Sequence, residues 1–114
     1  MKEIKAFIHT HRIADVLQAI KEAKTEGSRF CNLAVFPINA LRRDPDLDEA
    51  HYSMDLAETV VNEVKIEILC PDEAVTGLVA LIKGTAYAGG HEAGWIVVTG
   101  TLIAEPIGDG NECI

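Results

Sequence analysis

Apolar and polar residues alternate with period two in several short segments, and two of these lead into apolar stripes with helical spacing. "KEIKAFIHT" puts Ile4, Ala6 and Ile8 on one face and Lys5, Phe7 and His9 on the other, which predicts a strand. In "HRIADVLQAIKEAK", Ile13, Val16, Leu17 and Ile20 fall at i, i+3, i+4 and i+7, the stripe of an amphipathic helix. "KTEGSR" breaks that pattern, and "FCNLAVFPI" reads as a second strand. Pro37 cannot donate to a ladder, so it belongs at that strand's edge or end. The second half repeats the order. "VVNEVKIEILC" predicts a strand with Val64, Ile66 and Ile68 on one face. "PDEAVTGLVALIKG" then spaces Val75, Leu78, Val79 and Ile82 as a helical stripe, with Pro71-Asp72 suited to its start and Lys83-Gly84 to its stop. The stretch "TAYAGGHEAGWIVV" leads into a last strand, "GWIVVTGTLI".

Two β-α-β units in series predict an α+β, ferredoxin-like βαβ-βαβ arrangement. Its four-stranded antiparallel sheet would carry both helices on one face. Phe7, Leu33 and Val35 are candidates for an apolar opposite face, which would be sealed by other copies of the chain. Residues 41–58, "LRRDPDLDEAHYSMDLAE", fit neither period and predict a long polar loop. A loop of that length in a small domain is usually functional or disordered. Its acids, Asp44, Asp46, Asp48, Glu49, Asp55 and Glu58, face only Arg42 and Arg43. That balance suits partner docking or weak cation binding.

Composition narrows the function classes. The 114 residues are 48% hydrophobic, enough for one domain and little more. No apolar run reaches the roughly 20 residues that cross a bilayer, and the first residues lack a secretory pattern, so a soluble cytoplasmic protein is expected. The net charge of −8 leaves no dense basic patch, which disfavours nucleic acid as a partner. The three cysteines, Cys31, Cys70 and Cys113, are odd in number and lack CxxC spacing. This predicts no disulfide framework and a reducing compartment, with Cys31 and Cys70 in the core and Cys113 exposed.

"MKEIKAFI", "RIADVLQAI", "VKIEILCPDEAV" and "TAYAGGHEAGWIVV", in this order, resemble the PII signal-transduction family. The resemblance covers nearly the whole chain. It implies a homotrimer of ferredoxin-like subunits over residues 1–107, with a flexible tail over 108–114. A docking T-loop would span about 42–60 and a phosphate-holding B-loop about 88–95. It also implies an adenine nucleotide in clefts between subunits and a regulated target protein, such as a membrane transporter. Candidate ligand residues on this basis are Gly89, Gly90, Gly94, Arg42, Arg43, Glu67 and Leu69. Candidate docking residues are Arg43, Asp48, His51 and Tyr52.

The phosphate chemistry is altered against that pattern. Phosphate capture uses backbone N–H groups in a glycine turn together with cations. Gly89 and Gly94 match the family's "TGxxGDGK" turn, but Glu92, Ala93 and Trp95 stand where glycine, aspartate and the phosphate lysine would be. Pro106-Ile107-Gly108 stands where the family has two arginines, and Ala40 replaces the glycine at the T-loop base. Three missing cations remove about 5–9 kcal/mol at roughly 1.5–3 kcal/mol per charged hydrogen bond. The expected ligand is therefore ADP or AMP, with a small anion such as bicarbonate, rather than tightly held ATP. The "GDG" at 108–110 lies past the last strand and takes no phosphate role. Leu56 falls at the family's modified tyrosine position, with Tyr52 nearby.

A different class of function is a metal-binding trimer similar to the CutA family, linked to metal tolerance or efflux. His9 and His11 would share a face if the first strand continued, and His91 would join them only if the 88–95 loop folds to that strand end. No nucleophile–base arrangement is visible, so an enzyme is not expected.

Overall fold

The computed structural model describes residues 1–43, 50–87, 94–110 and 113–114. The chain forms β1 (Lys2–His9), α1 (Ile13–Glu22), β2 (Asn32–Ala40), β3 (Ala50–Ser53), β4 (Glu58–Cys70), α2 (Val75–Ala86) and β5 (Ile96–Gly100). The strands make one antiparallel sheet in the order β2-β4-β1-β5, with β3 paired to the start of β4. Each β-α-β crossover spans one strand of the other unit, so the halves interleave rather than sit side by side.

The period-two reading of β1 and β4 holds. Ile4, Ala6, Ile8, Ile66, Ile68 and Cys70 are buried on one face, and the helix stripes close over them. Val16 and Ile20 of α1 and Leu78 and Ile82 of α2 are buried, while Ile13, Leu17, Val75 and Val79 pack half-buried around them. Each of the large side chains buried here contributes about 1.5–3 kcal/mol.

Several expectations need correction. The sheet has five strands rather than four, because β3 forms inside the segment read as a loop and β4 begins at Glu58. Thr59 opposite Tyr52 and Val60 opposite His51 give this hairpin cross-strand pairs that a search for long alternation misses. α2 runs through Gly84 to Ala86. The Arg12 guanidinium donates to the Thr85 carbonyl through Nε (3.1 Å) and Nη2 (2.5 Å), giving the last turn a partner that overrides the weak helix preference of glycine.

The register also moves two residues to the other face. Leu33 lies opposite Ile68 and Val35 opposite Ile66, on the side the helices cover, with Leu33 packed against the core. The open face instead carries Phe7, Lys65 and Phe36 in one row across three strands. The Lys65 ammonium sits 4.9 Å from the Phe36 ring centroid. Pro37 is on β2, an edge strand, where its missing N–H costs no ladder bond.

The cysteine expectation fails as well. Cys31 and Cys113 form a disulfide, leaving Cys70 as the free, buried thiol. Ile114 and Phe30 exchange both backbone hydrogen bonds, at 2.6 and 2.7 Å, and this two-residue bridge brings the neighbouring cysteines together. An odd cysteine count is thus compatible with a disulfide in this chain, and it does not point to a reducing compartment. Among the described residues, no helix is long and apolar enough to cross a membrane.

Gly77 is where α2 meets the turn at residues 26–28. A Cβ there would collide with the backbone carbonyl of Gly27, which cannot swing aside as a side chain would. Replacing Gly77 with Ala gains about 1 kcal/mol of helix propensity and loses more to overpacking, typically about 1–3 kcal/mol. A urea denaturation comparison should therefore show Gly77→Ala less stable than the parent, whereas Gly84→Ala, with open space around it, should be neutral or stabilising.

Candidate functional site

The open end of the sheet, where β1 finishes and the 41–58 excursion begins, gathers the polar groups with the most defined geometry. Glu63 sits opposite His9 on one side and Ile38 on the other, and its side chain is 1% exposed. Arg42 follows the end of β2 and reaches back to it, with Nη2 2.6 Å from Oε1 and 2.5 Å from Oε2. His9 Nδ1 lies 3.9 Å from Glu63 Oε2, and the His9 ring stacks on His11 with centroids 5.6 Å apart. Thr10 Oγ1 donates to the Asn62 carbonyl at 3.0 Å, fastening the β1 exit to β4. A carboxylate this buried requires a cation, and Arg42 provides it with a planar donor group held at the foot of the excursion.

The second region is the entry to β5. Gly94 has φ +103°, a conformation that favours glycine, and a Cβ there would collide with the Phe7 carbonyl. The Phe7 N–H donates to the Trp95 carbonyl at 2.9 Å, extending the β1–β5 ladder by one bond. Trp95 and Tyr87, on the two sides of residues 88–93, are both exposed. A hollow of about 440 Å³ lies between α2 and the β1–β5 edge, with Lys83, Gly94 and Trp95 in its wall.

The expected ligand residues are only partly brought together. Glu67 is on β4 between Lys5 and Ala34, with its carboxylate 3.2 Å from the Lys65 ammonium. Leu69 is one step further along the same face, opposite Glu3 and Asn32. Leu69 lies six positions along β4 from Glu63, so within one chain Leu69 and the Arg42 anchor lie about 20 Å apart. Arg43 is exposed beside Arg42. Lys5, the other nearby cation, is 3.6 Å from Glu3. Gly89, Gly90 and His91 lie outside the described residues, as does Asp48 of the docking set. His51 and Tyr52 are both exposed on β3, a defined strand rather than a loop.

The histidine expectation is corrected in form. β1 stops at His9 and a 3₁₀ turn covers Thr10–Arg12, so His11 does not continue the strand face, although the two rings still meet. Among the described residues, no three His, Cys, Asp or Glu side chains converge on a point that would hold a metal ion. Sequence reasoning missed Glu63 entirely. It occupies the same alternating polar positions as Lys65 and Glu67, and nothing in that pattern marks one of the three as buried. No family model matches the chain, and no curated protein matches it.

The Arg42–Glu63 pair gives a direct test. Arg42→Ala leaves a buried carboxylate without its cation and should destabilise the chain by about 3–5 kcal/mol. Replacing both groups, Arg42→Met with Glu63→Met, should recover much of that loss, since an apolar pair of similar volume has no charge to compensate. Chemical denaturation of the three proteins measures both. A double variant no more stable than Arg42→Ala would show that the pair does not act through burial of the carboxylate.

Proposed function

We propose that this chain is a PII-like regulatory protein that works as a homotrimer. It binds an adenine nucleotide, ADP or AMP, together with a small anion such as bicarbonate, in clefts between subunits. The 42–60 excursion passes the ligand state to a target protein, such as a membrane transporter. The observation that carries this reading is the anchored root of that excursion. Arg42 is locked to the buried Glu63 while Arg43, next along the chain, and the β3 residues His51 and Tyr52 face solvent. A rigid root with an exposed tip can couple what binds at the base to what docks above.

Two further features support it. The open face of the sheet leaves Phe36 and Val97 exposed and Phe7 and Leu69 half-buried, a surface suited to association between copies. The separation of Leu69 from Arg42 within one chain fits a cleft that takes one group from each of two neighbours. The arginine and glycine end of one copy would then meet the Glu67–Leu69 end of the next.

Calorimetric titration with AMP, ADP, ATP and bicarbonate, alongside sedimentation of the free protein, tests both parts. The expected result is a trimer that binds ADP or AMP more tightly than ATP, because the cations that would offset the extra phosphate are missing. Silence toward all four compounds would end the sensing role, and a monomer at working concentration would remove the shared cleft.

A further inference from the structure

Residues 101–110 run beyond β5 without joining the sheet, yet the chain is held at both ends of this stretch. At the near end the Thr101 N–H donates to the Met1 carbonyl at 3.2 Å. Met1 is itself fixed, since its amino group lies 2.9 Å from Asp72 and by that hydrogen bond holds the Asp72 carboxyl below its ordinary range. At the far end Cys113 is bonded to Cys31 and Ile114 pairs with Phe30. Between the anchors, Leu102 and Ile107 are wholly exposed and Ile103 is mostly so. None of the core residues comes from this stretch. Ala104, Glu105, Pro106 and Ile107 line one hollow of about 390 Å³ together with Asn32, Leu69 and the two bonded cysteines. Asn32 and Leu69 are neighbours on the open face of the sheet.

We propose that the Cys31–Cys113 disulfide is a redox latch. Oxidised, it holds residues 101–110 as a strap over the Leu69 end of the open face; reduced, it releases the strap and uncovers that hollow while the domain stays folded. The inference stands independently of the nucleotide reading. Both cysteines are partly exposed and sit at the sheet margin rather than in the core, so an attacking thiolate can reach them. The third cysteine does not compete. Cys70 is fully buried, and burial pushes its thiol up, away from the reactive thiolate.

The step balances with a dithiol reductant of the thioredoxin class. Its thiolate attacks Cys113 Sγ, the S–S bond breaks, and Cys31 leaves as a thiolate that takes up a proton. The reductant's second thiol then attacks the mixed disulfide and frees Cys113 as a thiol. Two electrons and two protons pass to the protein, and the reductant leaves as its own disulfide. A disulfide oxidant reverses the sequence.

The full chain tests this directly by alkylation, proteolysis and circular dichroism, before and after treatment with dithiothreitol or a thioredoxin-type dithiol protein. Before reduction, alkylation in denaturant should label Cys70 alone; afterwards it should label all three cysteines. Thermolysin should cut between residues 101 and 110 about tenfold faster in the reduced protein, since a strap tethered at one end samples open states more often. The rest of the chain should stay resistant, with unchanged circular dichroism. Cys31→Ser and Cys113→Ser should each match the reduced protein without any reductant, and Cys70→Ala should match the oxidised one. Three labelled thiols before reduction would overturn the proposal, and so would strap cleavage that ignores redox state. Loss of the whole fold on reduction and in both serine variants would also overturn it, making the bond a structural staple.

Discussion

β4 hydrogen-bonds to β1 on one flank and to β2 on the other over most of its 13 residues, and the arrangement of the molecule follows from that double pairing. A strand paired on both sides has its pleat fixed, so Ile66, Ile68 and Cys70 must face the helices while Lys65, Glu67 and Leu69 face away. A slip of one residue would exchange the two sets and put charges into the core, which makes the register cooperative with burial. The helices then have one place to go. Their stripes pack over Ile4, Ala6 and Ile8, and Arg12 joins the start of α1 to the end of α2.

The open face is organised by charge as well as by apolar area. Lys65 stands between Phe7 and Phe36 in the sheet and also reaches Glu67, so one ammonium serves an aromatic ring and a carboxylate. At the end of the same row of positions Glu63 is withdrawn from water and held by Arg42. Desolvation makes that pair expensive to break, whereas the Lys65–Glu67 pair keeps contact with water and is worth less as a pair. The buried Arg42–Glu63 pair therefore does more to fix the root of the 42–60 excursion than the Lys65–Glu67 pair does for the open face.

The chain end adds a covalent constraint to a fold that has its own core. The bridge from Cys113 to Cys31 spans 82 residues and closes most of the chain into a loop. Cross-linking distant residues restricts the unfolded ensemble more than it alters native contacts. The residues it tethers are polar, glycine-containing or exposed apolar, so they contribute to the surface and to access rather than to the core.

How far each feature could be read from the residues follows the range of the interaction behind it. Local periodicity determined the two helices and the alternating strands β1 and β4, because burial on one face imposes a spacing of 3.6 or 2 that needs no knowledge of partners. The missing N–H of Pro37 likewise determined that its strand lies at a sheet edge. β3 escaped notice because four residues carry too little alternation and are stabilised by a partner strand. α2 passed through Gly84 because Arg12, 73 positions away, supplied a donor to its end. Leu33 and Val35 changed faces because inter-strand register, not their own segment, decides which side they take. Glu63, Arg42 and the Cys31–Cys113 bond depend on contacts between distant segments. A polar residue's burial and a cysteine's partner are properties of what folds against it, and only the tertiary structure contains that information.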